Sequence, residues 1–339
     1  MGGRIVFIGI WLTTACNLRC KYCYEGQEKP QIMMTKDVAE QCINYIKDRD
    51  DPLLIVQFHG GEPLLNYDVL KFIIASIQKN KKVNQKIMYG ITTNATLLDD
   101  EKVKFLSEYM DYGLSISLDG NKDVNDLMRI YPDGKGTYDS VISKIKRAIA
   151  LNSNIRFRMT FTSQTVSDLC KSIFHLIELG AKQIVSIPDY FDKGWTEDTL
   201  KTYRNQLYEI EKMYKQNYVS TQDIEIALLE NNVFQKTKCT GGYNSIQISP
   251  VGELYPCTYV VGKPEYKIGD LKSGIEIEVL ESISQINEEP MEVCVGCNNY
   301  LNCNSVRCKY LNKLLTGNCL SPSPVICAFE HVNVNFSKR

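Results

Sequence analysis

Histidine, tryptophan and long hydrophobic runs are scarce in this chain of 339 residues, which contains 3 histidines and 2 tryptophans. The apolar stretch within residues 1–14 is too short to span a membrane. No small-residue cleavage site follows it, which excludes a signal peptide. The net charge of −1 shows no excess of either sign, so neither nucleic acid nor an anionic membrane is indicated as a partner. We therefore expect a cytoplasmic protein that binds neither.

Cysteine, in contrast, is abundant, with 13 residues. A disulfide framework is typical of small secreted domains, whereas this chain is long, has no export signal and carries an odd number of cysteines. Clustered thiols in a cytosolic protein are more often metal ligands. Cys42 and Cys170 lie in apolar, helix-like segments, which predicts two small core residues. The other cysteines form one cluster near the amino terminus and one in the carboxyl-terminal third.

Strand-like and helix-like segments alternate up to about residue 188. The predicted strands are 5–12, 53–58, 86–92, 113–118, 155–162 and 183–187. The predicted helices are 36–47, 67–78, 98–109 (with Asp99 and Asp100 in its first turn), 138–151, 166–179 and 199–218. Because parallel strands need crossover connections, this order predicts a parallel sheet with outer helices. Six units are fewer than the eight of a closed barrel, so we predict an open, partial (β/α)6 barrel.

The composition changes after the sixth unit. We predict a barrel over residues 1–198, a helical linker over 199–236 and a separate cysteine-rich domain over 237–339. This last region has many Gly, Asn and Pro residues and little periodicity, which predicts a loop-rich structure with a small apolar core. Such a region needs another source of stability, and metal clusters provide one.

The first cysteine cluster follows the first predicted strand, in the segment TTACNLRCKYCYEG. Its members are Cys16, Cys20 and Cys23, with the spacing C-x3-C-x2-C. Three thiolates so close together can hold three irons of a [4Fe–4S] cube, and the fourth iron is then open to a small molecule with an amine and a carboxylate. Structural zinc is the alternative, but zinc requires a fourth ligand. A loop at the carboxyl end of a strand is also where barrel active sites lie.

This spacing, with an aromatic residue before the last cysteine, resembles the signature of the radical S-adenosylmethionine (SAM) superfamily. The segment HGGEP after the second strand resembles the family's GGEP motif, whose backbone and glutamate hold the methionine amine. Polar residues at the ends of the third and fourth strands, and one arginine, resemble the family's ribose and carboxylate contacts. For the arginine, a solvated surface charge is the alternative. The SAM contacts implied by the resemblance are Tyr22, Gly60, Gly61, Glu62, Pro63, Thr93, Asn94, Ser117, Asp119 and Arg129.

The resemblance also implies a mechanism. An electron from the cluster cleaves SAM into methionine and a 5′-deoxyadenosyl radical, which abstracts hydrogen from the substrate. The protein positions SAM and excludes water. A low-potential electron donor of the flavodoxin or ferredoxin type is therefore an expected partner. An iron–sulfur electron carrier is the non-enzymatic alternative, but such carriers lack an open-iron motif followed by GGEP.

The second cysteine cluster is similar to the SPASM extension of peptide-modifying radical SAM enzymes, although its last C-x4-C spacing is one residue longer than the family pattern. The resemblance thus implies three [4Fe–4S] clusters in total. For the first auxiliary cluster the expected ligands are Cys239, Cys257, Cys308 and Cys319. For the second they are Cys294, Cys297, Cys303 and Cys327. A zinc ribbon built on the C-x2-C pair at 294 and 297 is the alternative.

Cys319 is additional to the seven-cysteine family pattern. Two fully ligated cubes need eight thiolates, and this region contains eight cysteines, so Cys319 can complete the first auxiliary cluster. The competing interpretation leaves that cluster with an open iron that could bind a substrate thiol.

The resemblance covers nearly the whole chain and implies oxidative modification of a ribosomally made precursor peptide. Segments such as YPCTYVVG resemble maturases of Cys-rich peptides, so we favour thioether crosslinks formed from cysteine. Carbon–carbon or carbon–oxygen crosslinking, terminal decarboxylation and sulfatase-type Cys/Ser oxidation are alternatives. The last is disfavoured because sulfatase maturases carry an Asp base where this chain has Thr258. Since the chain begins close to its first strand, we expect a separate leader-peptide-binding protein or another way of recognising the leader.

Overall fold

The computed structural model describes residues 5–28, 30–152, 154–218, 224–230 and 238–337. At its centre, six strands lie side by side in sequence order. They are β1 (Ile5–Trp11), β2 (Leu53–His59), β3 (Lys86–Thr93), β4 (Gly113–Ser117), β5 (Ile155–Phe161) and β6 (Gln183–Pro188). Every neighbouring pair is parallel. The predicted six-stranded parallel barrel is therefore confirmed.

Helices connect successive strands and cover the outside of the sheet. They are α1 (Lys36–Lys47), α2 (Tyr67–Asn80), α3 (Asp100–Tyr109), α4 (Lys122–Met128), α5 (Tyr138–Leu151), α6 (Leu169–Glu178) and α7 (Glu197–Asn217). The sequence prediction was wrong in three details. Asp99 is the N-cap of α3, accepting from the Lys102 N–H at 2.8 Å, and not part of its first turn. Val166–Asp168 form a separate 3-10 turn before α6, and α4 was not predicted.

The two faces of the barrel strands differ in chemistry because side chains alternate along a strand. On one face, Ile8 of β1 and Val56 of β2 are fully buried against the helices. On the other face, Gly9 and Gln57 line an internal cavity. Cys42 and Cys170 are buried, as predicted. The fold therefore places its apolar core outside the sheet and a polar chamber inside it.

The carboxyl-terminal third continues the same sheet. The short strand β7 (Glu225–Ile226) pairs with β6, and β8 (Ser245–Ile248) pairs in parallel with β1 at the opposite edge. Beyond β8 follow β9 (Glu253–Tyr255), β10 (Gly269–Asp270) and β11 (Gly274–Ile275), all antiparallel. The division into domains at 198 and 236 stays a prediction, and the second boundary falls outside the described residues.

This third also contains the helices α8 (Ile277–Glu288), α9 (Asn304–Arg307), α10 (Lys309–Thr316) and α11 (Pro324–Ser337). The expectation of a small apolar core is wrong for α11. Its Phe329 is 1% exposed and packs edge-on against Trp195 and Tyr203, with ring centroids 4.8 and 4.9 Å apart. The last helix is thereby anchored on α7. Among the described residues, no helix has the length and apolar character needed to cross a membrane.

Candidate active site

The loop that carries Cys16, Cys20 and Cys23 is fixed against the segment after β2 by backbone hydrogen bonds. The Gly61 N–H donates to the Thr13 carbonyl (3.1 Å), and the Glu62 N–H donates to the Ala15 carbonyl (2.9 Å). A Cβ atom added at either glycine of the HGGEP segment would lie 2.3 Å from a carbonyl oxygen of this loop. Glycine is required here because only a bare backbone can approach so closely.

The opposite side of the cysteine loop is held by the end of α4. The Arg19 N–H donates to the Ile130 carbonyl (2.7 Å), and the Lys21 N–H donates to the Met128 carbonyl (2.9 Å). Helix α4 itself begins at Asn121, whose side chain accepts from the Val124 N–H at 3.1 Å. An Asn N-cap followed by an acidic first turn is the signal that could have revealed this helix from sequence.

A cavity of about 620 Å³ lies inside the barrel beside this loop. It brings together the three thiols and most of the predicted SAM contacts, namely Cys16, Cys20, Tyr22, Cys23, Gly60, Gly61, Glu62, Thr93, Asn94, Ser117 and Arg129. Two predicted contacts are not part of its wall. Pro63 is buried at the start of a 3-10 turn, and Asp119 is fully buried behind Tyr22. A volume of this size is typical of small-molecule sites.

Glu62 is 1% exposed, and each of its carboxylate oxygens is fixed by donors. Oε1 accepts from the Leu64 N–H (3.1 Å) and the Thr93 hydroxyl (2.7 Å), and Oε2 accepts from the Asn94 N–H (2.7 Å). Burial raises the pKa of Glu62, whereas these hydrogen bonds lower it. Because a carboxylate has about four acceptor positions, Glu62 retains capacity for an ammonium donor on its cavity side.

A second buried network joins three elements. The Tyr22 hydroxyl donates to Asp119 Oδ2 (2.5 Å) and accepts from Arg129 Nη1 (2.7 Å). Asp119 Oδ1 accepts from the Thr160 N–H on β5 at 3.0 Å. Burial raises the pKa of Asp119, and the Arg129 charge opposes that shift. Arg129 is only 8% exposed, so the alternative of a solvated surface charge is wrong.

The three thiols fit the ligand set of an iron–sulfur cube. The Leu18 N–H lies 3.4 Å and the Asn94 Nδ2 lies 3.9 Å from Cys16 Sγ, and hydrogen bonds to sulfur are typical of such clusters. Burial raises the pKa of Cys20, and the Arg129 charge lowers it. In the described ranges, no three His, Cys, Asp or Glu side chains converge on a single ion position. A cube offers a separate iron to each thiolate, so the thiols need only border a common space.

Comparison with known proteins identifies the barrel. Residues 11–176 match the Radical SAM superfamily. The chain carries a radical SAM domain. This domain holds all three cysteines of the first cluster and the HGGEP segment.

Two relatives illustrate how far the similarity extends. An uncharacterized protein of Methanocaldococcus jannaschii is 35% identical over 176 residues, which is 51% of this chain and 59% of that protein. A cysteine-type anaerobic sulfatase-maturating enzyme of Clostridium novyi is 26% identical over 320 residues, 86% of this chain and 84% of the relative. The chain thus spans less than two thirds of the first relative and most of the second.

Solved structures share the fold of the whole chain. Native anSMEcpe with bound AdoMet and a Kp18Cys peptide has 20% sequence identity and a TM-score of 0.79, covering 98% of this chain and 99% of that one. Streptococcus suis SuiB bound to the precursor peptide SuiA has 16% identity and a TM-score of 0.69, covering 96% and 76%. At these identities the likeness concerns the fold alone.

Several residues in the wall of the radical SAM cavity were missed by the sequence prediction. Arg156, Arg158 and Thr160 alternate along β5 and all face the cavity. The period-two pattern that placed the polar residues of β4 on one face would have found them. Tyr24 and Tyr259 close the opposite wall, with ring centroids 5.2 Å apart. No pattern in the sequence indicated the contact between Tyr24 and Tyr259.

The carboxyl-terminal cysteines form two spatial groups. Burial is the largest cause that raises the pKa of Cys257 to about 12, and the nearby Cys308 thiol is the second largest. Cys239 raises this pKa as well. In the second group, burial and then the Cys294 and Cys297 thiols raise the pKa of Cys327. Cys303 belongs to this second group, because Cys294 and Cys327 both interact with it. With Cys319 left aside, the two groups have the members of the two predicted ligand sets, and their role as ligands stays a prediction.

Cys319 has neighbours in common with both groups. Burial raises the pKa of Tyr310, and the thiols that add to this shift are Cys239, Cys257 and Cys319. Burial lowers the pKa of Lys309, and Cys319 and Cys294 of the second group both oppose that shift. Cys319 thus shares Tyr310 with two members of the first group and Lys309 with one member of the second, and its binding to the first auxiliary cluster stays a prediction.

Proposed function

We propose that this radical SAM enzyme oxidatively modifies a ribosomally made precursor peptide and that it forms a thioether from a substrate cysteine. The proposal rests on the residues that line the cavity. The loop of Cys16, Cys20 and Cys23 borders one side, and Thr258 and Tyr259, which follow Cys257, border another. A substrate in this space would lie between the first cysteine cluster and the second.

The cavity also has an extension that suits a peptide. A further cavity of about 400 Å³ shares Tyr22, Cys23, Tyr24, Asp189 and Phe191 with the first. Tyr24 and Phe191 are 45% and 38% exposed, so an aromatic rim marks the junction between the two spaces. Aromatic side chains are favoured at peptide-binding surfaces because they offer a large contact area at a low entropic cost. Both similar solved structures described above contain a bound peptide, Kp18Cys in anSMEcpe and the precursor peptide SuiA in SuiB.

The residues of the chain would divide the work as follows. Cys16, Cys20 and Cys23 would hold a [4Fe–4S] cluster, and with SAM it supplies the 5′-deoxyadenosyl radical that removes a hydrogen atom from the substrate. Glu62 would accept a hydrogen bond from the amine of SAM. Arg129, oriented by Tyr22, would pair with the carboxylate of SAM. The enclosing barrel keeps water and stray hydrogen donors away from the reacting carbon.

Thioether formation requires the loss of two hydrogens from the substrate. One carbon–hydrogen bond breaks as hydrogen is abstracted, the thiol loses its proton, and a carbon–sulfur bond forms. One electron remains in excess and needs an acceptor. Cys239, Cys257, Cys308 and Cys319 would hold an auxiliary cluster of suitable redox chemistry, and the remaining four cysteines would hold a second one. The total is then three clusters, supplied with electrons by a flavodoxin- or ferredoxin-type donor.

Sulfatase-type oxidation is the second candidate, because the clostridial relative of that name aligns with 86% of this chain. One feature argues against it. The residue after Cys257 is Thr258, which lines the cavity without offering a carboxylate base. In that reaction the cysteine side chain becomes a carbonyl and its sulfur leaves, whereas a thioether retains the sulfur. Carbon–carbon and carbon–oxygen crosslinks leave the thiol untouched.

The products distinguish these reactions. We would reconstitute the enzyme anaerobically and incubate it with SAM, a reductant and the short Cys-containing peptide encoded nearest to its gene. Loss of two hydrogens, together with a cysteine that no longer reacts with iodoacetamide, supports the thioether. The same mass loss with every cysteine still reactive indicates a carbon–carbon or carbon–oxygen link. Release of sulfide indicates sulfatase-type oxidation. A mass unchanged in ordinary water, with deuterium uptake at an α-carbon in deuterated water, indicates epimerisation and contradicts the proposal. A separate leader-binding protein is required if the peptide reacts only when one is added.

A further inference from the structure

Arg158 is a cation in the cavity wall that interacts with another cation and with neutral phenols. It lies on β5, is half-buried and borders the cavity. The groups that interact with it electrostatically are Arg156 and three phenols, those of Tyr259, Tyr24 and Tyr112. Burial and then the Arg158 charge lower the pKa of His59 to about 4, so this neighbouring imidazole is neutral.

In the part of the chain that the structure describes, no carboxylate lies within 4.0 Å of the Arg158 guanidinium, and the guanidinium donates no hydrogen bond. The other arginines nearby have acceptors. Arg156 donates to Gln183 Oε1 (3.2 Å) and lies over the Tyr112 ring, and Arg129 donates to the Tyr22 hydroxyl. Of these three arginines on the cavity wall, Arg158 is the one whose guanidinium donates no hydrogen bond within the described residues.

A half-buried guanidinium on a cavity wall has lost part of its hydration without gaining a partner, which is unfavourable. Such a group becomes favourable when an anion enters the cavity. The planar fork of arginine matches a carboxylate, which can accept two parallel hydrogen bonds. The aromatic neighbours Tyr24 and Tyr259 would shield such a pair from water and strengthen it.

We propose that Arg158 binds a carboxylate of the substrate, either a carboxyl terminus or an acidic side chain next to the reacting residue. This rests on the function proposed above. Position favours the substrate over SAM as the source of the carboxylate. Arg158 interacts both with Tyr259, two residues after Cys257, and with Tyr24, the residue after Cys23, so it borders the space between the two cysteine clusters. Arg129 is instead hydrogen-bonded to Tyr22, within the cysteine loop. The substrate would then be fixed between the two cysteine clusters by its charge.

The test uses the reconstituted enzyme with SAM and two probes that differ only in the carboxylate, N-acetylcysteine and its carboxamide. Anaerobic calorimetry measures their binding to wild type, Arg158→Gln, Arg158→Lys and the control Arg147→Gln, whose exposed side chain pairs with Asp100. Wild type and the control should bind the carboxylate about ten- to a hundredfold more tightly than the amide. Arg158→Gln should lose that preference, and Arg158→Lys should retain part of it.

SAM binding by the same variants separates the two sources of carboxylate. An unchanged SAM affinity in Arg158→Gln, with the probe preference lost, supports the proposal. A large loss of SAM affinity with the preference intact assigns Arg158 to SAM and overturns it, as does equal binding of both probes to wild type. Removing this unpaired charge should leave the melting temperature of Arg158→Gln unchanged. A lower melting temperature would identify a variant that fails to fold. Formation of 5′-deoxyadenosine by wild type is recorded in parallel. If wild type forms no 5′-deoxyadenosine but still prefers the carboxylate probe, the proposed function is contradicted and the carboxylate site is supported.

Discussion

The Tyr22 hydroxyl connects residues that are far apart in the chain. It lies between Asp119, 97 positions away, and Arg129, 107 positions away, and all three groups are shielded from solvent. Because Asp119 is fully buried, its carboxylate depends on this hydroxyl and on the Thr160 N–H for hydrogen bonds. A buried acceptor that loses its donor retains the full cost of desolvation.

Replacing Tyr22 by Phe should therefore lower the free energy of unfolding by about 1–3 kcal/mol. It should also weaken SAM binding, because Arg129 loses the group that orients it. Urea denaturation and SAM titration measure the two effects. The matched control is Tyr131→Phe, whose more exposed hydroxyl bonds Ser140 at 2.8 Å and whose removal should be nearly neutral. Equal stability of Tyr22→Phe and the control would show that the network is dispensable.

Site residues were predictable from sequence only where a motif fixed their neighbours. The HGGEP segment and the C-x3-C-x2-C spacing located one wall of the cavity. For Arg129, the sequence left a surface position open, since its burial depends on α4 folding back onto the cysteine loop. Period two along β5 could have placed Arg158 on the cavity side, but the lack of an acceptor around its guanidinium is visible only in the packed structure.

Helix α4 has a role beyond filling the space between β4 and α5. Its carboxyl end accepts backbone hydrogen bonds from Arg19 and Lys21, on both sides of Cys20. The position of that thiol therefore depends on a helix of seven residues. Short helices gain little from propensity alone, so the Asn121 N-cap contributes strongly to its stability.

Asn121→Ala should lower the free energy of unfolding by about 1 kcal/mol and increase amide hydrogen exchange across residues 16–23. The matched control is Asp99→Ala, which removes the N-cap of α3 and should have a similar effect on stability while leaving exchange in the cysteine loop unchanged. Exchange coupled to mass spectrometry resolves these peptides. Equal exchange in the loop for both variants would mean that α4 does not support it.

The elements that periodicity defines were predicted closely. Strands β1 to β6 and helices α1 and α5 lie where the sequence placed them, because each has a strong apolar pattern and clear end signals. Strand β8 was not predicted. It has only four residues, and its pairing with β1 is a long-range contact that local patterns do not encode. Helix α11 was missed, although its buried residues Ile326, Phe329, Glu330 and Val334 recur at helical spacing on one side.

At the scale of the whole molecule, the cysteine-rich third is joined to the barrel at two places. Strand β8 extends the sheet, and Phe329 of α11 packs among the aromatic rings of α7 and its surroundings. Between these anchors, residues 257–323 contain short elements and most of the second cysteine cluster. We expect metal to stabilise this middle part and apolar packing to hold both ends.

Anaerobic reconstitution should therefore give about twelve irons per chain, from three four-iron clusters. Chelation of the metal should make residues 257–323 sensitive to protease while 324–337 remain protected with the barrel. Metal analysis and mapping of the cleavage sites measure both. About four irons together with zinc would show a structural zinc module in the second cluster instead, and cleavage within α11 would contradict the anchoring role of Phe329.

The central claim is that the loop of Cys16, Cys20 and Cys23 is the site where SAM is cleaved. The most direct measurement is 5′-deoxyadenosine formation from SAM under anaerobic reduction, by wild type and by the triple variant with Ala at these three positions. The double variant Cys42→Ala, Cys170→Ala is the control, since both of its thiols are buried in the core. We predict that wild type and the control form 5′-deoxyadenosine and that the triple variant forms none while keeping the iron of the second cluster. Undiminished 5′-deoxyadenosine formation by the triple variant would contradict the account.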